Sequence, residues 1–311
     1  MLKYCIKRIL MMIPVLLGVI LIVFAIMSLT PGDPARLILG PEAEQEAVDL
    51  LRQELRLDEP MLVQFFYYIS GIVLRFDFGN SYRTGLPVFN EILVRYPYTL
   101  MLAFLSVIMA SLIGIPIGIL SAVKQYSIAD IIPRVVAMFL AAVPLFWLGM
   151  MFILLFALTL DWLPSSGIGT WQHYILPVMA TSLPSAAVLL RMSRATMLET
   201  IRQDYIRTAR AKGASELRVI FKHALKNALL PVINSLGATL GILLGGSIVS
   251  ETVFAVPGLG IMMISAIRVQ DIPMVMAATV FLSIIFCMVI LITDLAFGFI
   301  DPRVRARIAR S

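Results

Sequence analysis

Nine basic and three acidic residues fall between Arg191 and Asn227. Charge at that density on a short segment can hold a partner protein or answer an anionic lipid surface. Glu251 stands beside the turn sequence Val-Pro-Gly-Leu-Gly at 256–260. A carboxylate at the end of an apolar run has two readings: a gate or pathway residue acting with Pro257, Gly258 and Gly260, or a helix-end acid satisfied by backbone amides or water. Asp294, near the inner end of the last apolar run, calls for an arginine partner. His173 and His223 lie in loops on opposite sides of the apolar segments, and Cys5 and Cys287 are far apart with no CxxC or Cys/His cluster, so no metal site is expected. The 18 methionines read as adaptable packing. There is no GxxxxGK[ST], HExxH or GxSxG sequence, so no catalytic residue and no cofactor is expected in this chain, and an enzyme is not the reading. Any ATP and magnesium must be bound elsewhere.

The elements that position these groups are read from hydropathy. A bilayer core requires about 20 consecutive apolar residues per helix, and six runs qualify, at approximately 9–30, 98–122, 134–160, 174–191, 229–250 and 275–298. The first follows Lys3, Lys7 and Arg8, is too long for a secretory signal, and is expected to be an uncleaved anchor. Pro116, Pro144, Pro177 and Pro184 interrupt spans two to four, so bent helices around a pathway are expected there. Gly237, Gly241 and Gly245 recur every four residues and form a helix-packing seam, within the subunit or at a subunit contact.

Composition agrees. Of 311 residues, 60% are hydrophobic and only 14% charged, with mean hydropathy +0.94. Soluble domains carry roughly 25% charged residues, so the surface of this chain suits lipid. The same poverty of charge excludes disorder, coiled coil and nucleic-acid binding as overall descriptions. Eighteen of the 25 lysines and arginines fall in segments that six spans place on one side, which predicts both termini in the cytoplasm. The long segment 31–97 is then outside. Its sequence EAEQEAVDLLRQEL has Val48, Leu51 and Leu55 on one face, with Pro41 placed to open the helix. It is either an amphipathic helix resting on the membrane or a partner, or a solvated connector. Phe76 to Gly85 supplies turn residues, and Phe89 to Tyr96 leads helically into the second span.

The basic segment has its own pattern. Met197, Ile201, Tyr205 and Ile206 recur on one side with no proline, which predicts helix until Gly213, where glycine can take the positive backbone angle that ends it. Ser215 can start a second helix running through Pro231 into the fifth span. The product is a helix, a tight turn and a helix feeding the membrane: a lever, or an ordinary basic inner loop.

The strings DYIRTARAKG at Asp204–Gly213 and HALKNALLPV at His223–Val232 closely resemble the cytoplasmic loop of ATP-binding-cassette (ABC) importer permeases of the peptide and nickel group. LTPGDP at Leu29–Pro34, DFGNSYRTGLPV at Asp77–Val88, ETVFAVPGLG at Glu251–Gly260 and DPRVR at Asp301–Arg305 extend the resemblance over nearly the whole chain. In the wider family the loop carries Glu-Ala-Ala, three residues and glycine. Here Arg207, Thr208 and Ala209 stand in those places, so the glutamate's ion pair does not carry over, and Asp204 is the nearest acid.

The resemblance implies an all-α, six-span permease of the type I importer (MetI-like) fold in a prokaryotic inner membrane. It divides the chain into a tail and first helix (1–30), an outer segment (31–97), a permease core (98–300, coupling loop 192–228) and a cytoplasmic tail (301–311). It implies a second, distinct permease subunit, two cytoplasmic ATPases and an extracytoplasmic solute-binding protein delivering peptide or a nickel chelate. The ATPase would seat on Asp204, Tyr205, Arg207, Thr208, Ala209, Arg210, Ala211, Lys212, Gly213, Ala214, Ser215 and Glu216. A receptor or assembly scaffold could use the same loop. A secondary carrier would be expected to show midplane ion-coupling charges and paired interrupted helices, and neither is evident.

Overall fold

The computed structural model describes residues 2–30 and 32–300; the expected DPRVR motif and the tail 301–311 lie outside the described residues. Among the described residues fourteen α-helices and three short tighter or wider helical turns follow one another, with no strand beyond an isolated bridge, Asn80 to Pro87. Five helices are long and apolar enough to cross a membrane: α1 (Leu2–Leu29), α5 (Val88–Val123), α8 (Ile175–Ile201, extended by a tight turn at Trp171–Tyr174), α11 (Leu225–Gly246) and α14 (Ile272–Ile300).

The expected third span is not one rod. It is α6 (Ile128–Ala142) and α7 (Leu145–Phe152, continued by a wide turn at Ile153–Thr159), bent by 104°. The cause is local. Pro144 has no amide proton and holds the residue before it out of helical geometry, and Val143 is extended at ψ 128°. Pro116 and Pro184 sit inside α5 and α8 without dividing either helix.

The centre of the bundle is the α5–α8 crossing. A Cβ on Gly114 would lie 2.5 Å from the Ala186 carbonyl oxygen, and one on Gly118 would lie 2.5 Å from that of Leu190. Only hydrogen at these positions lets the two backbones touch, which supplies the van der Waals contact that associates helices in lipid. Ala110, Ala186, Leu189 and Val232 continue this layer into α11. Side chains left exposed are apolar, for example Val15 and Ile22 on α1, Leu112 on α5 and Phe139 on α6. In water that surface is a liability; in a bilayer it is the natural exterior.

The segment 31–97 is more structured than its sequence suggests. Pro41 does not open a helix; Pro34 opens α2 (Pro34–Leu39), whose first turn is capped by Asp33, and α3 (Gln45–Glu54) begins four residues after Pro41. Val48 is buried at the centre of the face expected for α3. A further helix, α4 (Met61–Arg75), has no counterpart in the sequence reading. Its Phe65 meets Phe24 of α1 edge to face at 5.7 Å, inside a core that also takes Phe78, Ile92, Met262 and Met276. The segment therefore packs on the ends of α1, α5 and α14 and on α13 (Leu259–Arg268).

Replacing Gly118 with Val should separate α5 from α8. Overpacking of this kind costs about 1–3 kcal/mol. Purified protein should show a lowered unfolding midpoint in detergent, whereas Gly18→Val, at a position with open space around it, should leave the midpoint in place.

Candidate functional site

The basic segment forms an elbow. α8 ends at Ile201, the chain is extended at Gln203 (ψ 149°), and α9 runs from Asp204 to Ala211. The expected single helix up to Gly213 is thus broken at Arg202 and Gln203. Gly213 then closes α9. Its φ is +81°, the Ala214 amide donates to the Ala209 carbonyl at 3.2 Å, and the Gly213 amide donates to that of Arg210 at 2.9 Å. These are the paired bonds of a Schellman cap, with glycine in the left-handed position. Ser215 precedes a short turn, α10 (Glu216–Arg218), and a wider turn at Val219–Ala224 that feeds α11.

The root of the elbow is buried and its tip is not. Ile206 and Val219 are fully enclosed with Met197 of α8 and Ala122 at the end of α5, and Ala209 and Ala214 pack against them. Asp204, Tyr205, Arg207, Thr208, Arg210, Ala211, Lys212, Gly213, Ser215 and Glu216 are exposed. Arg210 spans the turn to both carboxylate oxygens of Glu216, at 2.8 and 3.2 Å, and that hydrogen-bonded carboxylate raises the Arg210 pKa above its usual value. Asn227 donates to the Tyr205 hydroxyl at 2.8 Å, tying α9 to the base of α11.

Sequence reasoning overlooked a second set of charges at this end. Asp130 of α6 is fully buried and takes both arms of the Arg194 guanidinium, at 2.7 and 2.9 Å. Ser121 of α5 donates to it at 2.6 Å and the Tyr126 amide at 3.0 Å. The cluster joins α5, α6 and α8 one turn of α8 above Met197. An acid and a base in otherwise apolar helices were the available signal; nothing in their spacing pairs them.

At the opposite end, Glu251 lies in α12 (Ile248–Val253) and is fully buried. Its carboxylate accepts from Thr99 at 2.7 Å, from Ser247 at 2.8 Å, and from the Gly260 and Ile261 amides at 2.7 and 3.1 Å. It therefore neutralises the free amides at the start of α13. A Cβ on Gly258 would fall 2.3 Å from that carboxyl carbon, so the VPGLG turn can fold back over the acid only with glycine there; Pro257 borders a recess outside it. Asp271, also missed from sequence, precedes α14. It accepts from the Ser81 hydroxyl, from the Tyr82 amide at 3.1 Å and from the Met274 amide at 3.4 Å. Burial, with Asp271 beside it, pushes the Tyr82 phenol up to about 12.

Of the three seam glycines, Gly237 faces Thr293 and Gly241 faces Phe286, both on α14, while Gly245 has nothing within 4 Å. Asp294 pairs with Arg8 of α1 at 2.8 Å. Among the described residues, no group of three His, Cys, Asp or Glu side chains could hold a metal ion.

The comparisons define the class. Residues 114–306 match the family model of the binding-protein-dependent transport system inner membrane component, and residues 1–103 match that family's N-terminal model. The chain belongs to this family. It is 43% identical over 305 residues to the glutathione transport system permease protein GsiC of Salmonella choleraesuis and 42% identical to that of Escherichia coli K12, covering 98% of this chain and 99% of each relative. Among solved structures it is similar to the inward-facing MetNI methionine ABC transporter (TM-score 0.57, 22% identity, 69% of this chain and 98% of that one). It is also similar to an amino acid ABC transporter with histidines (TM-score 0.52, 15% identity, 69% and 94%). These two show the fold alone. The protein is the permease component of an ABC importer of the peptide and nickel group, an inner-membrane part of a system that also needs an ATPase and a substrate-binding protein.

Breaking one side of a buried ion pair costs about 3–5 kcal/mol because the other charge is left stranded. Asp130→Ala should therefore destabilise strongly, and Asp130→Ala combined with Arg194→Met should cost less than the sum of the two single changes. A double-mutant cycle on unfolding midpoints measures the difference.

Proposed function

We propose that this permease carries small peptides inward, and that the elbow from Asp204 to Glu216 is where an ATPase subunit seats and drives it. The observation that carries the proposal is the contrast between the elbow's enclosed root and its exposed tip. Ile206 and Val219 bind the elbow to α5 and α8, while the charged side chains of α9 are exposed to a partner. A force on the tip passes to α8 and from there, through the close crossing, to α5. With both termini cytoplasmic, as the charge distribution supports, the elbow faces the ATPase compartment.

The peptide reading rests on the relatives. Two glutathione permeases align over nearly the full length of both chains, and glutathione is a tripeptide. A second permease subunit, distinct from this one, completes the pathway, two ATPases seat on the paired elbows, and a solute-binding protein docks outside. The VPGLG turn, drawn over Glu251, forms part of the outer gate. Closure of the ATPases on ATP draws the elbows together and favours the outward-open bundle, and hydrolysis returns it. Such coupling requires that elbow contacts differ in energy between the two states.

Gly213→Val tests the coupling. A Cβ there meets no atom within 4 Å, so the cost is the left-handed backbone angle, about 1–2 kcal/mol, confined to an exposed turn. The variant should insert and assemble, and should lose substrate-stimulated ATP hydrolysis in proteoliposomes containing the partner subunits. Unchanged stimulation would refute the lever.

A further inference from the structure

A recess of about 370 Å³ opens between the connector that follows α4, the start of α5, the VPGLG turn and α13. That volume falls within the roughly 300–1,000 Å³ of small-ligand sites. Four ionised side chains line it: Arg83, Glu91, Arg95 and Asp271. Their bonding is uneven. Asp271 is saturated by the Ser81 hydroxyl and by the backbone amides of Tyr82, Arg83 and Met274. Glu91 takes the Thr84 hydroxyl on one oxygen, at 2.5 Å.

The two guanidiniums have nothing. Among the described residues neither Arg83 nor Arg95 makes a side-chain hydrogen bond or ion pair, although carboxylates share their recess. Of the other arginines of the segment 31–97, Arg36 meets Gln45, Arg52 meets Asp33 and Arg56 lies over the Tyr67 ring, while Arg75, outside the recess and exposed, makes no such contact among the described residues. Arg95 is half-buried, one helical turn after Glu91 and on the same face. A partly desolvated guanidinium without a counter-charge is costly, and its planar fork matches the two oxygens of a carboxylate or a phosphate.

We propose that this recess is a transit subsite for a small zwitterionic peptide, Arg83 and Arg95 receiving its carboxylates and the open oxygen of Glu91 its ammonium group. This deepens the peptide reading above and rests on it. The position is apt, since the wall includes Pro257 and the outward side of α13, whose first amides are held by Glu251. A peptide seated there touches the segment that must shift for the pathway to open.

The test compares glutathione with its glycine-amide form in proteoliposomes containing the full complex. The affinity of the binding protein for each form is measured separately, so that both are supplied at saturation. Wild type should transport the free acid at least about tenfold faster than the amide, since a site built around a hydrogen-bonded group rejects an analogue lacking it. Arg83→Ala with Arg95→Ala should bring the ratio of free-acid to amide transport close to one, the free acid losing more than the amide, which keeps one carboxylate, and the double Lys variant should recover part of the difference.

If wild type carries neither form, the peptide reading fails and this subsite with it. If wild type carries both forms alike, or the double Ala variant carries the free acid at the wild-type rate, the subsite alone is overturned. Equal losses for both forms also overturn it, since they mark a packing or protein-docking role. So does a difference seen only in liposomes with anionic lipids, which marks a headgroup site.

Discussion

Backbone contact between α5 and α8, at Gly114 and Gly118, is the constraint on which the rest of the molecule depends. Lipid tails are as apolar as leucine, so burying hydrocarbon gives helices in a membrane little reason to associate. Close packing and polar contacts must do it instead. The crossing supplies the first, and the two polar clusters at its ends supply the second. Asp130 and Arg194 tie α6 and α8 together at the elbow end. Thr99 and Glu251 tie α5 to α12 at the other, and the same carboxylate reaches α13.

This arrangement puts α8 at the centre of the bundle. It is packed against α5, α6 and α11, and its C-terminal end passes through only two non-helical residues into α9. The elbow is stiff where it meets the bundle, since its apolar root is enclosed and its turn is closed by two backbone bonds. Its tip is exposed. The Arg210–Glu216 pair across the turn is exposed and contributes little stability; its effect is to fix which charges face outward.

The outer portion obeys a different rule. Glu251 and Asp271 are each surrounded by donors from segments remote in sequence, so a buried carboxylate organises a turn in both places. Burial of an acid is tolerated because its hydrogen-bonding capacity is met. The connector and the VPGLG turn consequently form the walls of one recess, in which Asp271 is provided for and two guanidiniums are not.

Much was legible from residue order alone. Runs of apolar side chains long enough to cross a bilayer located five spans and the region of a bent sixth, because in lipid a single segment can satisfy its own backbone hydrogen bonds only as a helix. Gly213 was marked as a helix end by residue type, since few other residues tolerate a φ of +81°. The α4 helix was missed although Phe65, Tyr68, Ile69 and Ile72 recur at helical spacing after Pro60, because the run is too short to cross a bilayer. The break at Gln203 escaped because every nearby residue is an acceptable helix former. Local pairs such as Asp130 with Arg134 follow from helical spacing, but which distant polar groups meet was decided by the tertiary fold. Asp130 and Arg194 stand 64 positions apart, Thr99 and Glu251 stand 152 apart, and only the packing of helices around the glycine crossing brings such groups within hydrogen-bond reach.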